Sequence, residues 1–156
     1  MKSKPTGNGS SAPFANPSAP FRARVLLAED NRVNQTVGAL FVKRLGHEVD
    51  IVTGGHDAVE AFQQRLYHLI LMDCEMPALD GYEATRAIRR AEERTGGRIP
   101  IIAVTANVTP GARELCVAAG MDDYLAKPLR TEELAEKFAQ WLKLKETSPG
   151  SEPSGE

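Results

Sequence analysis

Leu69-Ile70-Leu71-Met72-Asp73 is an unbroken apolar run that ends on a carboxylate, and three further runs share its design. Val25-Leu26-Leu27-Ala28 ends in Glu29-Asp30, Ile101-Ile102-Ala103-Val104 in Thr105, and Tyr124-Leu125-Ala126 in Lys127-Pro128. The first three runs are continuously apolar rather than alternating, as expected of parallel strands covered by helices on both faces. In an open parallel sheet the strand ends share one edge, and ligands bind along it. Three carboxylates, a hydroxyl and an ammonium therefore converge from distant parts of the chain.

Working outward, strand and helix alternate. A strand at 25–29 precedes a helix at 32–45 stopped by Gly46. A strand at 48–52 precedes a short helix at 56–65. The strand at 69–73 leads to a helix at 81–93, where Asp80 and Glu83 are spaced as a capping box. The strand at 101–105 leads to a helix with Thr109 as N-cap, Pro110 in its first turn and Gly120 at its end. A strand at 123–126 precedes a last helix at 131–144, with Glu132 and Glu133 at the positive end of its dipole. Five βα units predict a doubly wound α/β sandwich with a five-stranded parallel sheet. The expected order is 2-1-3-4-5, which sets strands 1 and 3 side by side at the switch point. Residues 24–145 form the domain. Residues 1–23, rich in Ser, Pro, Gly, Ala and Asn, read as a flexible linker or leader, and 146–156 as a disordered tail.

Composition removes several function classes. With 156 residues there is room for about one domain of ordinary size. Nineteen basic and 21 acidic residues are mixed along the chain, so no basic stripe points to nucleic acid. Cys74 and Cys116 make neither a disulfide framework nor a metal spacing, which fits a reducing cytosol. No apolar run approaches the roughly 18 residues of a membrane span, and the N-terminus lacks a signal-peptide apolar region. The expectation is a cytoplasmic chain with no membrane contact of its own.

The strand ends specify a chemistry. Asp73 is a usable nucleophile toward phosphorus, and partial exposure is expected of it at the end of a buried strand. The loop after it takes turn chemistry from Pro77 and Gly81. Glu29 and Asp30 beside Asp73 would repel one another unless a hard divalent cation, Mg²⁺ or Mn²⁺, relieved them. Asp30 and Asp73 are the expected direct ligands, with Glu29 acting through water and the Glu75 carbonyl supplying another oxygen. Capping of the first helix by Asp30 or Asn31 is an alternative use of that turn. Thr105 can hydrogen-bond one phosphoryl oxygen, and Lys127 can neutralise a second. Lys127-Pro128 is also the one kind of bond where a cis peptide is affordable.

Leu-Leu-Ala-Glu-Asp-Asn (26–31), Leu-Met-Asp-Cys-Glu-Met-Pro-Ala-Leu-Asp-Gly (71–81), Ile-Ile-Ala-Val-Thr-Ala-Asn (101–107) and Met-Asp-Asp-Tyr-Leu-Ala-Lys-Pro (121–128) together resemble the receiver domain of two-component response regulators. The resemblance covers nearly all of 24–144, and no matched position departs from it. It implies a flavodoxin-like fold, with Asp73 accepting a phosphoryl group from a phosphohistidine. Glu29 and Asp30 would be the acid pair at the metal, and Thr105 and Lys127 would read the phosphate. Tyr124 would be the aromatic that swings inward as Thr105 moves, and Glu75 and Asn107 would tune phosphate lifetime. The domain would be no enzyme beyond catalysing its own phosphorylation and dephosphorylation. Glu-Asp-Asn-Arg-Val-Asn-Gln (29–35), Met-Asp-Cys-Glu-Met-Pro (72–77) and Ala-Gly-Met-Asp-Asp-Tyr-Leu-Ala-Lys-Pro (119–128) look more narrowly like receivers of hybrid sensor histidine kinases. The implied partners are a sensor histidine kinase and a histidine phosphotransfer domain, and the parent of an excised domain would be a histidine kinase. A stand-alone single-domain regulator would carry the same motifs.

In the first helix, Val37, Phe41, Val42 and Leu45 form the sheet-facing stripe, while Val33 and Leu40 fall toward its edge as a candidate partner-docking strip. The stripe is equally readable as one wide buried face. His47, His56 and His68 match no ligand spacing and read as surface or loop residues, Trp141 reads as packing, and Cys74 as a core thiol. A flavin carrier would want a phosphate loop after strand 1, where Glu29-Asp30 stands. A dehalogenase-type phosphatase usually wants a second Asp where Glu75 stands, and a P-loop is absent. A phosphorylation-independent pseudo-receiver is the remaining alternative, disfavoured by the intact site.

Overall fold

The computed structural model describes residues 21–147. Its elements alternate: β1 (Arg24–Ala28), α1 (Arg32–Arg44), β2 (Glu48–Val52), α2 (Gly55–Gln64), β3 (Leu69–Asp73), α3 (Gly81–Thr95), β4 (Ile101–Thr105), α4 (Pro110–Ala119), β5 (Asp123–Ala126) and α5 (Thr131–Thr147). The strands form one sheet in the order β2-β1-β3-β4-β5, and every neighbouring pair is parallel. This is the expected 2-1-3-4-5 topology.

The unbroken apolar strands divide their side chains between two cores, because successive residues of a strand face opposite ways. Leu26, Ile70, Met72, Ile101 and Ala103 pack with Ala58 of α2, Ala84 and Ile88 of α3, and Cys116 of α4. Val25, Leu27, Leu69, Leu71, Ile102 and Val104 pack with Val42 of α1 and with Leu134, Phe138 and Leu142 of α5. Full burial of each large aliphatic side chain stabilises the fold by about 1.5–3 kcal/mol. On α1, Val42 and Gly38 are buried, and a Cβ at Gly38 would meet the Leu27 side chain at 2.9 Å. Val37, Phe41 and Leu45 are half-buried, whereas Val33 and Leu40 stay 69% and 45% exposed.

The caps follow the sequence signals. Asn31 Oδ1 accepts from the Asn34 amide, Asp80 Oδ1 from the Glu83 amide, and Thr109 Oγ1 from the Ala112 amide. Gly120 ends α4 in the left-handed region at φ 105°.

Several boundaries differ from expectation. Packing begins before residue 24: Ala23 is buried and Phe21 rests edge-on against His68, with centroids 5.2 Å apart. His47 and His68 lie in loops, as expected, but they are half-buried hydrogen-bond acceptors; their Nδ1 atoms take the Ala23 and Arg24 amides at 2.9 Å each. Their signal is not periodic, since each partner lies 24 or 44 residues away. β1 stops at Ala28, so Glu29 opens the loop, although its amide still donates to the Val52 carbonyl at 3.0 Å. α5 reaches Thr147, beyond the expected end at 144 and into the segment expected to be disordered. Residues 1–20 and 148–156 of the expected leader and tail lie outside the described residues.

Candidate functional site

The carboxyl ends of β1, β3, β4 and β5 bring Glu29, Asp30, Asp73, Thr105 and Lys127 together as the strand pattern predicts. Glu29, Asp30 and Asp73 each offer a carboxylate oxygen within 4.8 Å of the other two. Asn31 takes the capping role on α1, and among the described residues Asp30 makes no side-chain hydrogen bond or ion pair. Glu29 is buried, and its Oε2 accepts from the Asn31 amide and the Asn34 side-chain amide.

Asp73 departs from expectation in one respect: it is 1% exposed rather than partly open. Lys127 and the start of the β3–α3 loop contact its carboxylate, and the end of that loop returns close to its backbone. A Cβ at Gly81 would lie 2.2 Å from the Asp73 carbonyl oxygen, so the return path needs glycine. Lys127 Nζ donates to Asp73 Oδ1 at 2.9 Å and stands 3.6 Å from Glu29 Oε1. The Glu75 amide also donates to Oδ1, at 3.0 Å. Asp73 Oδ2 is buried and has no hydrogen-bond partner.

Electrostatics follow from that geometry. Burial pushes the Asp73 carboxyl up to about 6; the bonds from Lys127 and Glu75 oppose the rise, and the Glu29 charge adds to it. Burial alone would lower the Lys127 ammonium, but the hydrogen bond and charge of Asp73, with Glu29 and Glu75, hold it above its usual value. Lys127 is thus a fixed cation, and it joins Pro128 through a cis peptide.

Thr105 is fully buried at the end of β4. Its hydroxyl donates to Glu75 Oε2 at 2.8 Å and accepts from the Asn107 amide at 3.0 Å. Glu75 and Asn107 therefore hold Thr105 directly, a contact that spacing along the chain does not reveal. Tyr124 on β5 is half-buried, and its hydroxyl accepts from Arg113 of α4, whose guanidinium lies 4.8 Å from the ring centroid. Arg113 carries no sequence signal; only the approach of α4 to β5 reveals it. Val33 and Val37 line a cleft of about 200 Å³ beside Glu29, Lys127 and Leu129, and Leu40 is not among its walls. A larger cavity of about 640 Å³ lies at the opposite edge of the sheet, away from the carboxylates.

A five-stranded parallel sheet in this order, with an acid pair, an aspartate, a threonine and a lysine on one edge, defines a recognisable class. Residues 25–139 match the response regulator receiver domain family, and the chain belongs to it.

Among its relatives is the receiver domain of the sensor histidine kinase PA1611 from Pseudomonas aeruginosa PAO1, solved with a magnesium ion in its active site cleft. The two are 47% identical, with a TM-score of 0.72 over 79% of this chain and 99% of that one. The receiver domain of the Saccharomyces cerevisiae regulator Ssk1, solved with the histidine phosphotransfer protein Ypd1, is 29% identical, with a TM-score of 0.76 over 80% of this chain and 91% of that one. The sensor protein GacS of Pseudomonas syringae pv. syringae is 40% identical over 85% of this chain and 15% of its own length. The probable histidine kinase 1 of Oryza sativa subsp. indica is 37% identical over 78% of this chain and 16% of its own. The chain thus spans about 15% of the length of these curated relatives.

Proposed function

We propose that the domain accepts a phosphoryl group on Asp73 from a phosphohistidine and either passes it to a histidine phosphotransfer partner or signals through the resulting change of shape. The observation that carries this reading is the buried, unpartnered Oδ2 of Asp73, a residue clustered with Glu29 and Asp30, with Lys127 bonded to the other oxygen of the same carboxylate. An orphaned buried carboxylate oxygen is costly unless a ligand completes it. It fits a hard divalent cation, and Glu29, Asp30, Asp73 and the Glu75 carbonyl are the oxygens that would hold one. When bound, Mg²⁺ supplies positive charge against the carboxylates and the incoming phosphoryl oxygens.

The remaining work falls to the chain. One oxygen of Asp73 attacks phosphorus; the P–N bond to imidazole breaks and its electron pair leaves with the nitrogen. Lys127 neutralises charge that builds on the phosphoryl oxygens. Thr105 turns its hydroxyl from Glu75 to a phosphoryl oxygen, and Glu75 and Asn107, released from it, set how readily water attacks the acyl phosphate. The cleft lined by Val33 and Val37 beside Lys127 would take the partner helix, with exposed Leu40 extending the apolar strip. Relatives named as sensor protein and histidine kinase support placing the domain within a histidine kinase, and the reading extends to a hybrid kinase with this domain on its cytoplasmic side.

The test is Mg²⁺-dependent phosphorylation by a small-molecule phosphodonor, read by intact mass. One phosphoryl group should appear on the wild type, vanish with chelator and be absent from Asp73→Ala. A folded wild type that binds Mg²⁺ yet is never modified, by small donor or phosphohistidine, sinks the reading. For docking, Val33→Glu should slow transfer from a phosphorylated partner while sparing the small donor.

A further inference from the structure

We propose that Arg113 is a positioning residue that holds Tyr124 away from Thr105 and so weakens phosphoryl capture at Asp73. This rests on the receiver reading above.

The register supplies the coupling. β4 and β5 pair with Ala103 opposite Tyr124 and Thr105 opposite Ala126. Residues two apart on a strand share a face, so Tyr124 and Thr105 stand on the same face, one step apart along neighbouring strands. The residue opposite Tyr124 is Ala103, whose bare methyl leaves room beside Thr105. The Tyr124 ring packs against the core of that face. Its hydroxyl does not bond Thr105; it is held by Arg113.

Arg113 is committed to this contact. It sits in the first turn of α4, and its guanidinium both donates to the Tyr124 hydroxyl and stacks over the ring. A cation over an aromatic face and a hydrogen bond to its hydroxyl reinforce one another. Among the described residues Arg113 forms no ion pair. Asp123, which lines the same cleft, is taken by Lys137 and by the Trp141 indole at 2.9 Å each. Arg113 is itself exposed, so Tyr124 is the one partner that fixes its guanidinium among the described residues.

Thr105 in turn is held by Glu75. When its hydroxyl turns to a phosphoryl oxygen, the space on the shared face changes, and Tyr124 can follow only by leaving Arg113. Whatever Arg113 contributes to the resting arrangement is then subtracted from phosphoryl binding, because a ligand shifts two states only by their difference in affinity.

The experiment measures binding of beryllofluoride, a phosphoryl mimic, to the full chain with saturating Mg²⁺ by calorimetry. Arg113→Ala should bind about three- to tenfold tighter than wild type. Arg113→Lys, which keeps a donor and a cation over the ring, should return toward wild type. In a Tyr124→Ala background, Arg113→Ala should change nothing. A merely structural Arg113 would lower the urea midpoint without tightening binding, and unchanged or weaker binding by Arg113→Ala overturns the proposal. Equal tightening in the Tyr124→Ala background overturns it too. A folded wild type that binds no beryllofluoride overturns the receiver reading itself and this inference with it.

Discussion

At the amino edge of the sheet, Arg89 of α3 donates to Glu92 and Asp122 at 2.8 Å each and to the carbonyls of Ile99 and Gly120 at 2.9 Å. Arg98 adds a second cation on Asp122, and both acids also accept backbone amides, from Ile99 and Ile101. At the carboxyl edge the same ingredients, buried acids and a long cation, meet at Glu29, Asp73 and Lys127. There one cation pairs with two carboxylates of a cluster of three, and one buried oxygen has no partner at all. The amino edge is a finished network that ties α3 to the α4–β5 turn. The carboxyl edge is an incomplete one, and its missing partner defines its chemistry. The backbone repeats the contrast: the left-handed turns at Gly46, Gly96, Gly97 and Gly120 use glycine, whereas the loop over the site puts Ala78 at φ 63°.

The largest effect expected at either edge is on chemistry. Asp73→Asn should abolish phosphorylation by small donors outright, and the metal-free variant should be at least as stable as wild type, because the charge it removes is poorly compensated. Intact mass and urea unfolding read the two halves, and marked destabilisation would break the contrast. At the amino edge, Arg89→Leu strands Glu92 and Asp122 and should cost about 3–5 kcal/mol in urea unfolding. The folded fraction should still be phosphorylated.

A smaller effect concerns pH. Asp73 has its native pKa raised from 3.8 to about 6, so the native state binds more protons than the unfolded one between those values. Stability tied to this group is full below about 4 and is lost as pH rises through about 6, by an amount on the order of 2–3 kcal/mol. Mg²⁺ should shrink that loss, and its affinity should fall as pH drops below about 6, where a proton competes for Asp73. Urea midpoints of wild type against Asp73→Asn, from pH 4.5 to 7.5 with and without Mg²⁺, measure it; a wild type that gains relative stability as pH rises without metal has the opposite sign. The smallest effect is Ala78→Gly, which should stabilise by up to about 1 kcal/mol, since relief of a left-handed alanine outweighs the added freedom of the unfolded glycine.

How much of this was legible in the sequence depends on the range of the interaction. Strands, helix caps and the strand-end residues obey local rules, so Asp80, Thr109 and Gly120 are found from composition and spacing alone, whereas the choice between Asp30 and Asn31 as the first cap is made by the structure. The ring pair of Arg113 and Tyr124, the Glu75–Thr105 bond, the histidine acceptors of Ala23 and Arg24 and the Arg89 network join residues that share no period or motif. The burial of Asp73 likewise brings in Lys127 from a distant part of the chain.

The sequence by itself determined the alternation of elements, the parallel order of the sheet and the set of charged residues at its carboxyl edge. These follow from runs of apolar residues and the polar groups that end them. Only the tertiary structure decided which of those charges are satisfied. Compensation of a buried charge depends on distances of a few ångströms between residues far apart in the chain, 54 positions for Lys127 and Asp73 and more for Lys127 and Glu29, and linear spacing carries no record of them.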